Sequence, residues 1–256
     1  MTSLNRQIIQ LRTEEEIEKL RKANGIVTEV LALVEENVKP GVTTAHLDKI
    51  AEERCRKRGA KPAFLGYKGF PASLCVSIND EIVHGIPSKD RRLAEGDIVS
   101  LDFGTIWDGY VGDAAITVPV GKVSDLAMRL MRVTKESLDM GIRATLPGGR
   151  LYDIGHAVQT IVEAAGFSVV RDFVGHGIGT KMHEPPQVPN SGRKGTGPRL
   201  APGMVLAIEP MVNAGGWEIK IKEDGWTAVT ADGSLSAHFE HSVAISESGP
   251  IVLSAL

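Results

Sequence analysis

The chain has 256 residues, enough for one large domain or two closely packed half-domains. Its composition, 42% apolar and 24% charged, is that of an ordinary globular protein, and a net charge of -3 gives no reason to expect nucleic acid or an anionic membrane as a partner. With only Cys55 and Cys75, the sequence argues against a disulfide framework or a cysteine-rich zinc module. It also lacks a secretory signal pattern and a membrane-spanning apolar run, so we expect a cytoplasmic protein.

The first predicted element is a long helix that begins near Thr13, where Thr13 and Glu16 form a capping-box pattern. A Pro40-Gly41 turn then leads into a second helix that Gly59 terminates. Apolar strands follow this helix pair. The segment therefore predicts two helices packed on one face of a sheet.

The same order of elements recurs later in the chain. A second long helix is predicted from Ser124 to about Gly141, and a Pro147-Gly148 turn opens another helix that ends at Gly166. We therefore expect one α+β domain over residues 1–256, built from repeat halves at about 12–120 and 121–256.

Each half also carries an acid after an apolar run. RLAEGDIVSLDF (Arg92 to Phe103) aligns with RLAPGMVLAIEP (Arg199 to Pro210), and the alignment places Asp102 opposite Glu209. An acid among buried apolar residues is costly unless a partner or a metal compensates its charge. The duplication therefore predicts a site where the two halves meet, at the ends of these strands.

A hairpin places a further acid beside Asp102. The Asp108-Gly109 pair is a strong two-residue turn, and its register sets Gly104 opposite Asp113. Asp102 and Asp113 then share one face as diagonal neighbours, with glycines clearing space around them. Without the repeat, a solvated sheet edge would be the better interpretation of these two acids.

Three more residues complete a candidate set of metal ligands. His176 lies between glycines in VGHGIG, Glu209 ends the second repeat strand, and Glu240 lies in the strand HFEHSVAI. With Asp102 and Asp113 they give four carboxylates and one imidazole, a set suited to paired divalent ions such as Mn, Fe, Co or Zn. A cation between the acids would offset their mutual repulsion.

Six segments of the chain resemble the type I, bacterial-like methionine aminopeptidases. They are GYKGFPASLCVSINDEIVHGIP, EGDIVSLDFGTIWDGYVGDAAIT, FVGHGIGTKMHEPPQVPN, GMVLAIEPM, KEDGWTAVT and SAHFEHSVAI, and the likeness runs from about Glu14 to the C-terminus. It implies the pita-bread (creatinase/aminopeptidase) fold, in which two pseudo-symmetric halves pack helices on a curved antiparallel sheet around a dinuclear metal centre.

The resemblance assigns roles to the candidate ligands. Asp113 and Glu240 would bridge two divalent ions, Asp102 would complete one site, and His176 with Glu209 the other. A hydroxide shared by the ions would attack the peptide bond, with Glu209 as general base.

Further roles follow from the same resemblance. His84 would lie near the scissile amide, and His183 would stabilise the carbonyl or its oxyanion. Asn79 and Ser236 match positions that hold a monovalent cation such as Na or K.

The resemblance also implies a pocket for the methionine side chain. Its lining positions fall on Phe64, Tyr67, Phe70, Cys75, Met182 and Trp226. An Asn79-Asp80 turn would set Cys75 opposite His84. Phe64 stands where many relatives carry Cys, and core packing is an equal alternative for it. Met182 replaces a common aromatic. The remaining histidines, His46, His156, His238 and His241, are interpreted as structural or solvent-facing.

The implied function is removal of the initiator methionine from peptides and nascent chains with a small second residue. We expect a monomer that associates transiently with the ribosome and carries no nucleic-acid motif. One rival is a prolidase or Xaa-Pro aminopeptidase, which shares the ligands but usually has an extra N-terminal domain. A type II enzyme would need an insertion in the C-terminal half. A non-catalytic interaction module is disfavoured because all five ligand positions are filled.

Overall fold

The structure, a computed structural model, describes residues 8–255. The amino-terminal segment in which no secretory signal is expected lies partly outside the described residues. Among the residues described, no helix has the length and apolar character needed to cross a membrane.

Within residues 8–255 the chain forms four α-helices and fifteen β-strands. The helices are α1 (Glu14–Glu36), α2 (Thr44–Lys57), α3 (Asp125–Arg143) and α4 (Leu151–Ala164). The strands are β1 (Lys61–Pro62), β2 (Leu74–Ile78), β3 (Glu81–Val83), β4 (Ile98–Trp107), β5 (Tyr110–Pro119), β6 (Ser168–Val169), β7 (Gly175–Gly177), β8 (Glu184–Val188), β9 (Val205–Ile208), β10 (Met211–Asn213), β11 (Ile219–Ile221), β12 (Ala228–Thr230), β13 (Ser236–His238), β14 (Glu240–Ser246) and β15 (Gly249–Val252).

The predicted helix starts are confirmed by their capping bonds. Thr13 Oγ1 accepts from Glu16 N at 3.3 Å, and Thr13 N donates to the Glu16 carboxylate at 2.9 Å. Ser124 caps α3 by accepting from Ala127 N at 3.2 Å. These bonds satisfy amide donors that the first turn of a helix leaves free, so the local sequence fixes where both long helices begin.

The largest sheet of the described chain is antiparallel and joins the two repeats. Its strand order is β1-β4-β5-β14-β9-β7-β8, with β2 added on β4 and β15 on β14. Strand β5 from the first repeat pairs with β14 near the end of the chain, where Glu240 lies opposite Ala115. Two three-stranded sheets, β13-β10-β6 and β11-β12-β3, complete the described strands. The α+β class is confirmed.

Both helix pairs pack on the same kind of strand surface. Residues of α1 and α2 form one apolar cluster with Leu101 and Phe103 of β4. Residues of α3 and α4 form another with Leu206 and Ile208 of β9. Because side chains alternate across a strand, residues between these apolar positions point to the opposite face of the sheet.

Each helix pair is also tied to its strands by an equivalent arginine. Arg92 Nη1 donates to Gly41 O at 2.7 Å, and Arg199 Nη1 donates to Gly148 O at 3.1 Å. The same two arginines form the isolated backbone bridges Thr43–Arg92 and Arg150–Arg199. The repeated sequence segments therefore make matching contacts.

Two strand predictions are wrong. Asp102 lies inside β4, which continues to Trp107, instead of ending a strand. Cys75 lies opposite Asp102 on β4 and is not paired with His84. His84 has a left-handed φ of 61°. Val76 N donates to Gly85 O at 2.8 Å, which differs from the register that would set Cys75 opposite His84.

Candidate metal centre

The β4–β5 hairpin brings Asp102 and Asp113 to one face of the sheet. Asp108 and Gly109 take left-handed φ values of 48° and 79°, as a two-residue hairpin turn requires. The predicted register is confirmed, with Gly104 opposite Asp113 and Asp102 opposite Ala115. The acids therefore point away from helices α1 and α2.

Strand β14 adds Glu240 to the same face. Ala115 is flanked by Asp102 on β4 and by Glu240 on β14, so the three side chains lie in one row across the sheet. Directly opposed residues of antiparallel strands project to the same side. Asp113, two residues from Ala115, joins this row diagonally.

The second repeat contributes His176 and Glu209 by the same logic. His176 of β7 lies opposite Ala207 of β9, and Glu209 follows Ala207 by two residues. The distance from His176 Nε2 to Glu209 Oε1 is 3.4 Å. Ligand atoms of Asp113, His176 and Glu240 all lie within 4.8 Å of one another. One face thus gathers acids and an imidazole from both repeats.

Backbone contacts hold this group in place. His176 Nδ1 lies 3.0 Å from Gly177 O, so the ring donates there and leaves the lone pair of Nε2 facing the site. Asp113 N donates to Asn24 Oδ1 of α1 at 3.2 Å, and Ser242 Oγ donates to Asp113 O at 2.8 Å. Helix α1 and strand β14 therefore both fix the position of Asp113.

The glycines near these residues have another purpose than the predicted one. A Cβ on Gly104 would lie 2.7 Å from the Phe64 ring. On Gly175 and Gly177 it would collide with the carbonyl oxygens of Ala207 and Pro185. These glycines admit the neighbouring protein atoms themselves, and they do not open space for a ligand.

The carboxylates of this site fit divalent cations. Asp102 Oδ1, Asp113 Oδ1 and Glu240 Oε1 are buried and have no hydrogen-bond partner among the described residues. Buried polar atoms without partners are rare and costly. A cation supplies the missing interaction, and carboxylates with one imidazole suit Mn, Fe, Co or Zn.

Burial also raises the pKa of every acid in the group. It raises the pKa of Asp102 to about 7. Burial, followed by the charges of neighbouring acids, raises the pKa values of Asp113, Glu209 and Glu240 well above the ordinary range. A bound cation reverses this effect by favouring the charged forms.

The same face opens into a cavity of about 190 Å³. All five candidate ligands, both candidate catalytic histidines and all six predicted pocket residues line it: Asp102, Asp113, His176, Glu209, Glu240, His84, His183, Phe64, Tyr67, Phe70, Cys75, Met182 and Trp226. Core packing and pocket lining were alternative predictions for Phe64. The residue does both, since it is buried in the core and lines the cavity.

The sequence missed several lining residues, namely Lys68, Val83, Phe173, Val174 and Met211. Phe173 contacts the edge of the His84 ring with centroids 5.4 Å apart. In the sequence, the position of Phe173 three residues before the candidate ligand His176 was the available indication that it lies near the site.

His84 and His183 line the cavity together with the candidate metal ligands. Burial lowers the pKa of His84 to about 4, and burial followed by the charge of Lys68 lowers the pKa of His183. His183 Nδ1 is 2.8 Å from the Tyr67 hydroxyl, and its ring centroid is 4.2 Å from that of His176. Burial therefore favours the neutral imidazole in both residues, and a neutral imidazole can donate one hydrogen bond.

The loop that carries Met182 and His183 is anchored by the next residue, Glu184. Its carboxylate accepts from Thr180 N at 2.9 Å and from Lys181 N at 3.0 Å. It also forms an ion pair with Arg12, in which each side chain is only 8% exposed. Arg12 N in turn donates to Gly203 O at 2.7 Å, in the turn before β9, so Arg12 links the residues before α1 to both segments.

His238 was not recognised as a site residue in the sequence. It is 1% exposed, and its Nε2 lies 3.8 Å from Glu209 Oε2. In the sequence, His238 lies two residues before Glu240, and residues two apart on a strand project to the same face. This spacing was the available indication that His238 lies near the site. By contrast, His46 is exposed, His156 is half-buried, and His241 bonds through Nδ1 to Ser254 Oγ at 3.0 Å.

Asn79 and Ser236 lie side by side outside the cavity lining. Ser236 N donates to Asn79 O at 2.8 Å. The monovalent cation expected there stays a prediction.

Comparisons with known proteins identify relatives of this chain. The model of metallopeptidase family M24 matches residues 18–247. A methionine aminopeptidase of Clostridium acetobutylicum is 54% identical over 246 residues, covering 96% of this chain and 98% of the relative. The crystal structure of a methionine aminopeptidase from Thermotoga maritima has a TM-score of 0.96 at 47% identity and covers 97% of this chain and 100% of that one.

A proline-directed enzyme shares the architecture more distantly. Prolidase from Pyrococcus furiosus has a TM-score of 0.77 at 24% identity, covering 96% of this chain and 65% of that one. At this identity the likeness concerns the fold alone.

Proposed function

The chain belongs to metallopeptidase family M24, as a methionine aminopeptidase with the pita-bread fold, and from this premise we propose that it removes the initiator methionine from peptides and nascent proteins with a small second residue. The observation that best supports this proposal is the single cavity that the five candidate ligands share with an apolar pocket. The acids and imidazole provide a metal centre beside a space suited to an unbranched thioether side chain.

The proposed ligands, which would together hold two divalent ions, are Asp102, Asp113, His176, Glu209 and Glu240. When bound, such ions would make a water molecule nucleophilic at neutral pH and polarise the scissile carbonyl. The unpartnered oxygens support this assignment, as does the Nε2 lone pair that His176 keeps when its Nδ1 donates to Gly177 O.

The proposed proton carrier is Glu209. Its carboxylate lies at the cavity, where it can accept the proton of the attacking water and pass it to the leaving amine. Of the candidate ligands, it is the one whose second oxygen faces a further imidazole, His238.

The proposed donors to the substrate are His84 and His183. The Tyr67 hydroxyl can donate to His183 Nδ1, which leaves the proton on Nε2 for the substrate carbonyl as it becomes an oxyanion. His84, whose ring packs at nearly right angles to the rings of Phe173 and Trp226, would bond the scissile amide. Tyr67, Phe70, Cys75, Met182, Trp226 and Phe64 would enclose the methionine side chain.

The proposal treats residues 1–256 as one catalytic domain whose halves, at about 12–120 and 121–256, each supply part of the site. The matching contacts of Arg92 and Arg199 support this division. Cytoplasmic location, a monomeric state and transient ribosome association stay predictions.

A peptide assay tests the proposal. Protein supplied with Mn²⁺, Co²⁺, Fe²⁺ or Zn²⁺ in separate reactions should release methionine from Met-Ala-Ser and leave an Xaa-Pro peptide intact. Met-Leu-Ser, which has a large second residue, should be cleaved much more slowly. Release of Xaa from the proline peptide would favour a proline-directed enzyme, and release of no residue with any metal would favour a binding module.

A further inference from the structure

His238 occupies a polar position for which the proposed mechanism has no use. Both ring nitrogens are buried and lack a hydrogen-bond partner among the described residues. An imidazole normally uses one nitrogen as donor and the other as acceptor, and burying both unpaired is costly. The carboxylate oxygen Oε2 of Glu209 lies 3.8 Å from Nε2.

The backbone of His238 is held firmly in this position. Thr117 Oγ1 accepts from His238 N at 2.9 Å and donates to His238 O at 2.7 Å. Ser100 Oγ lies 2.8 Å from the same hydroxyl, on the other strand of the hairpin. Strands β4 and β5 of the first repeat therefore set the position of a residue that faces an acid of the second.

Glu209 and His238 also lie at two adjoining strand crossings. The chain passes from the large sheet into a small one at Glu209-Pro210, and it returns at Phe239. Phe239 N donates to Pro210 O at 3.4 Å, and His238 lies opposite Met211. The two side chains are thus brought together by the backbone, independently of any ligand.

Because of these contacts, we propose that His238 is a positioning residue that donates from Nε2–H to Glu209 Oε2. The distance of 3.8 Å is too long for a hydrogen bond, and a small side-chain rotation that shortens it by about 1 Å would make one. Oε1 of Glu209, 3.4 Å from His176 Nε2, would then be directed to the metal centre. Histidine here orients a proposed ligand and does not itself bind the ion.

This inference rests on the proposed function, in which Glu209 is a metal ligand. Partners of this kind typically change metal affinity by about 10- to 100-fold when they are removed. His238→Phe removes the donor and keeps an aromatic ring of somewhat larger size, whereas His238→Gln keeps a donor. His241→Phe makes the matched change on the other side of Glu240, at a residue outside the cavity lining.

The first readout is Mn²⁺ affinity, measured by calorimetry on the metal-free proteins. We expect His238→Phe to weaken binding by about 10- to 100-fold, with His238→Gln and His241→Phe close to the parent chain. Circular dichroism confirms that each variant is folded. Equal affinity for folded His238→Phe and the parent chain would overturn the role of His238 alone. A parent chain that binds no divalent ion would instead remove the proposed function.

The second readout is the tautomer of His238, from ¹⁵N–¹H correlation spectra of the parent chain with and without Zn²⁺. The signal is assigned by its loss in His238→Gln. We expect a proton on Nε2 in both states and no direct shift of that nitrogen from zinc coordination. A proton on Nδ1, or an Nε2 resonance that moves to a metal-bound position, would overturn the proposal by making His238 an acceptor or a ligand.

Discussion

The two repeats deliver their acids in physically different ways. Asp102 and Asp113 lie within the ten-residue strands β4 and β5, which pair without interruption from Ile98–Pro119 to the turn. Glu209 and Glu240 lie where strands break, just after the four-residue β9 and just after Phe239. A continuous ladder fixes the backbone on both sides of an acid, whereas a break leaves one side dependent on other contacts.

This difference indicates how a duplicated backbone can serve two roles at one site. The first repeat provides a rigid surface on which two carboxylates are preset. The second repeat provides an acid that lies next to a proline and a buried histidine. The position of this acid can respond to a ligand. We therefore expect substitutions of the second-repeat acids to lower the turnover rate most. Substitutions of the first-repeat acids should mainly change the stability of the metal-free protein.

The largest effect should come from Glu209→Ala. It removes a proposed ligand and the proposed base together, so kcat/KM for Met-Ala-Ser should fall by about 1,000-fold or more. Glu247→Ala, an exposed acid near the end of the same repeat, is the matched control and should leave the rate unchanged. Activity of Glu209→Ala close to that of the parent chain would refute the role assigned to this residue.

His183→Ala should have the next largest effect. Loss of a donor to the developing oxyanion typically lowers kcat by about 100- to 1,000-fold, and KM should change little because the ground-state carbonyl needs the bond less. Steady-state rates over a range of peptide concentrations separate the two constants. The exposed His46→Ala provides the comparison. A rise in KM at constant kcat would indicate a simple binding contact.

Asp102→Asn should have a smaller effect, on the thermal stability of the protein measured with a chelator present to remove metal ions. Burial raises the folded-state pKa of Asp102 to about 7, from an ordinary value of about 3.9, so the folded state binds a proton more tightly than the unfolded state does. The stability that this carboxyl contributes is present below about pH 4 and is lost as the pH rises through about 7.

The Tm of metal-free Asp102→Asn should therefore exceed that of the parent chain by several degrees near pH 8, and the gap should narrow towards pH 5. Saturating Mn²⁺ should reverse the order at pH 8, because the parent then has a cation for its charge. The buried histidines occur in both proteins and cancel in the difference. A gap that is constant with pH would show that Asp102 titrates normally.

Much of this site could be predicted from the sequence because its signals are local. The Asp108-Gly109 turn fixes the register of Asp113, and the capping box fixes the start of α1. The predicted Cys75–His84 pairing failed because a left-handed φ at His84 is a backbone choice that no propensity rule required. His238 was missed because its neighbour Glu209 comes close only through two separate strand crossings, which a linear pattern does not show.

The Arg12–Glu184 ion pair joins two distant parts of the chain next to His183, a residue that lines the cavity. Glu184 also accepts the amides of Thr180 and Lys181, so the stretch before α1 and the turn before His183 share one set of polar bonds. We expect them to open as a single cooperative unit, whose amides exchange with solvent deuterium at a common rate. Local fraying near Arg12 would then be transmitted to His183, the proposed donor to the substrate, at the other end of that unit.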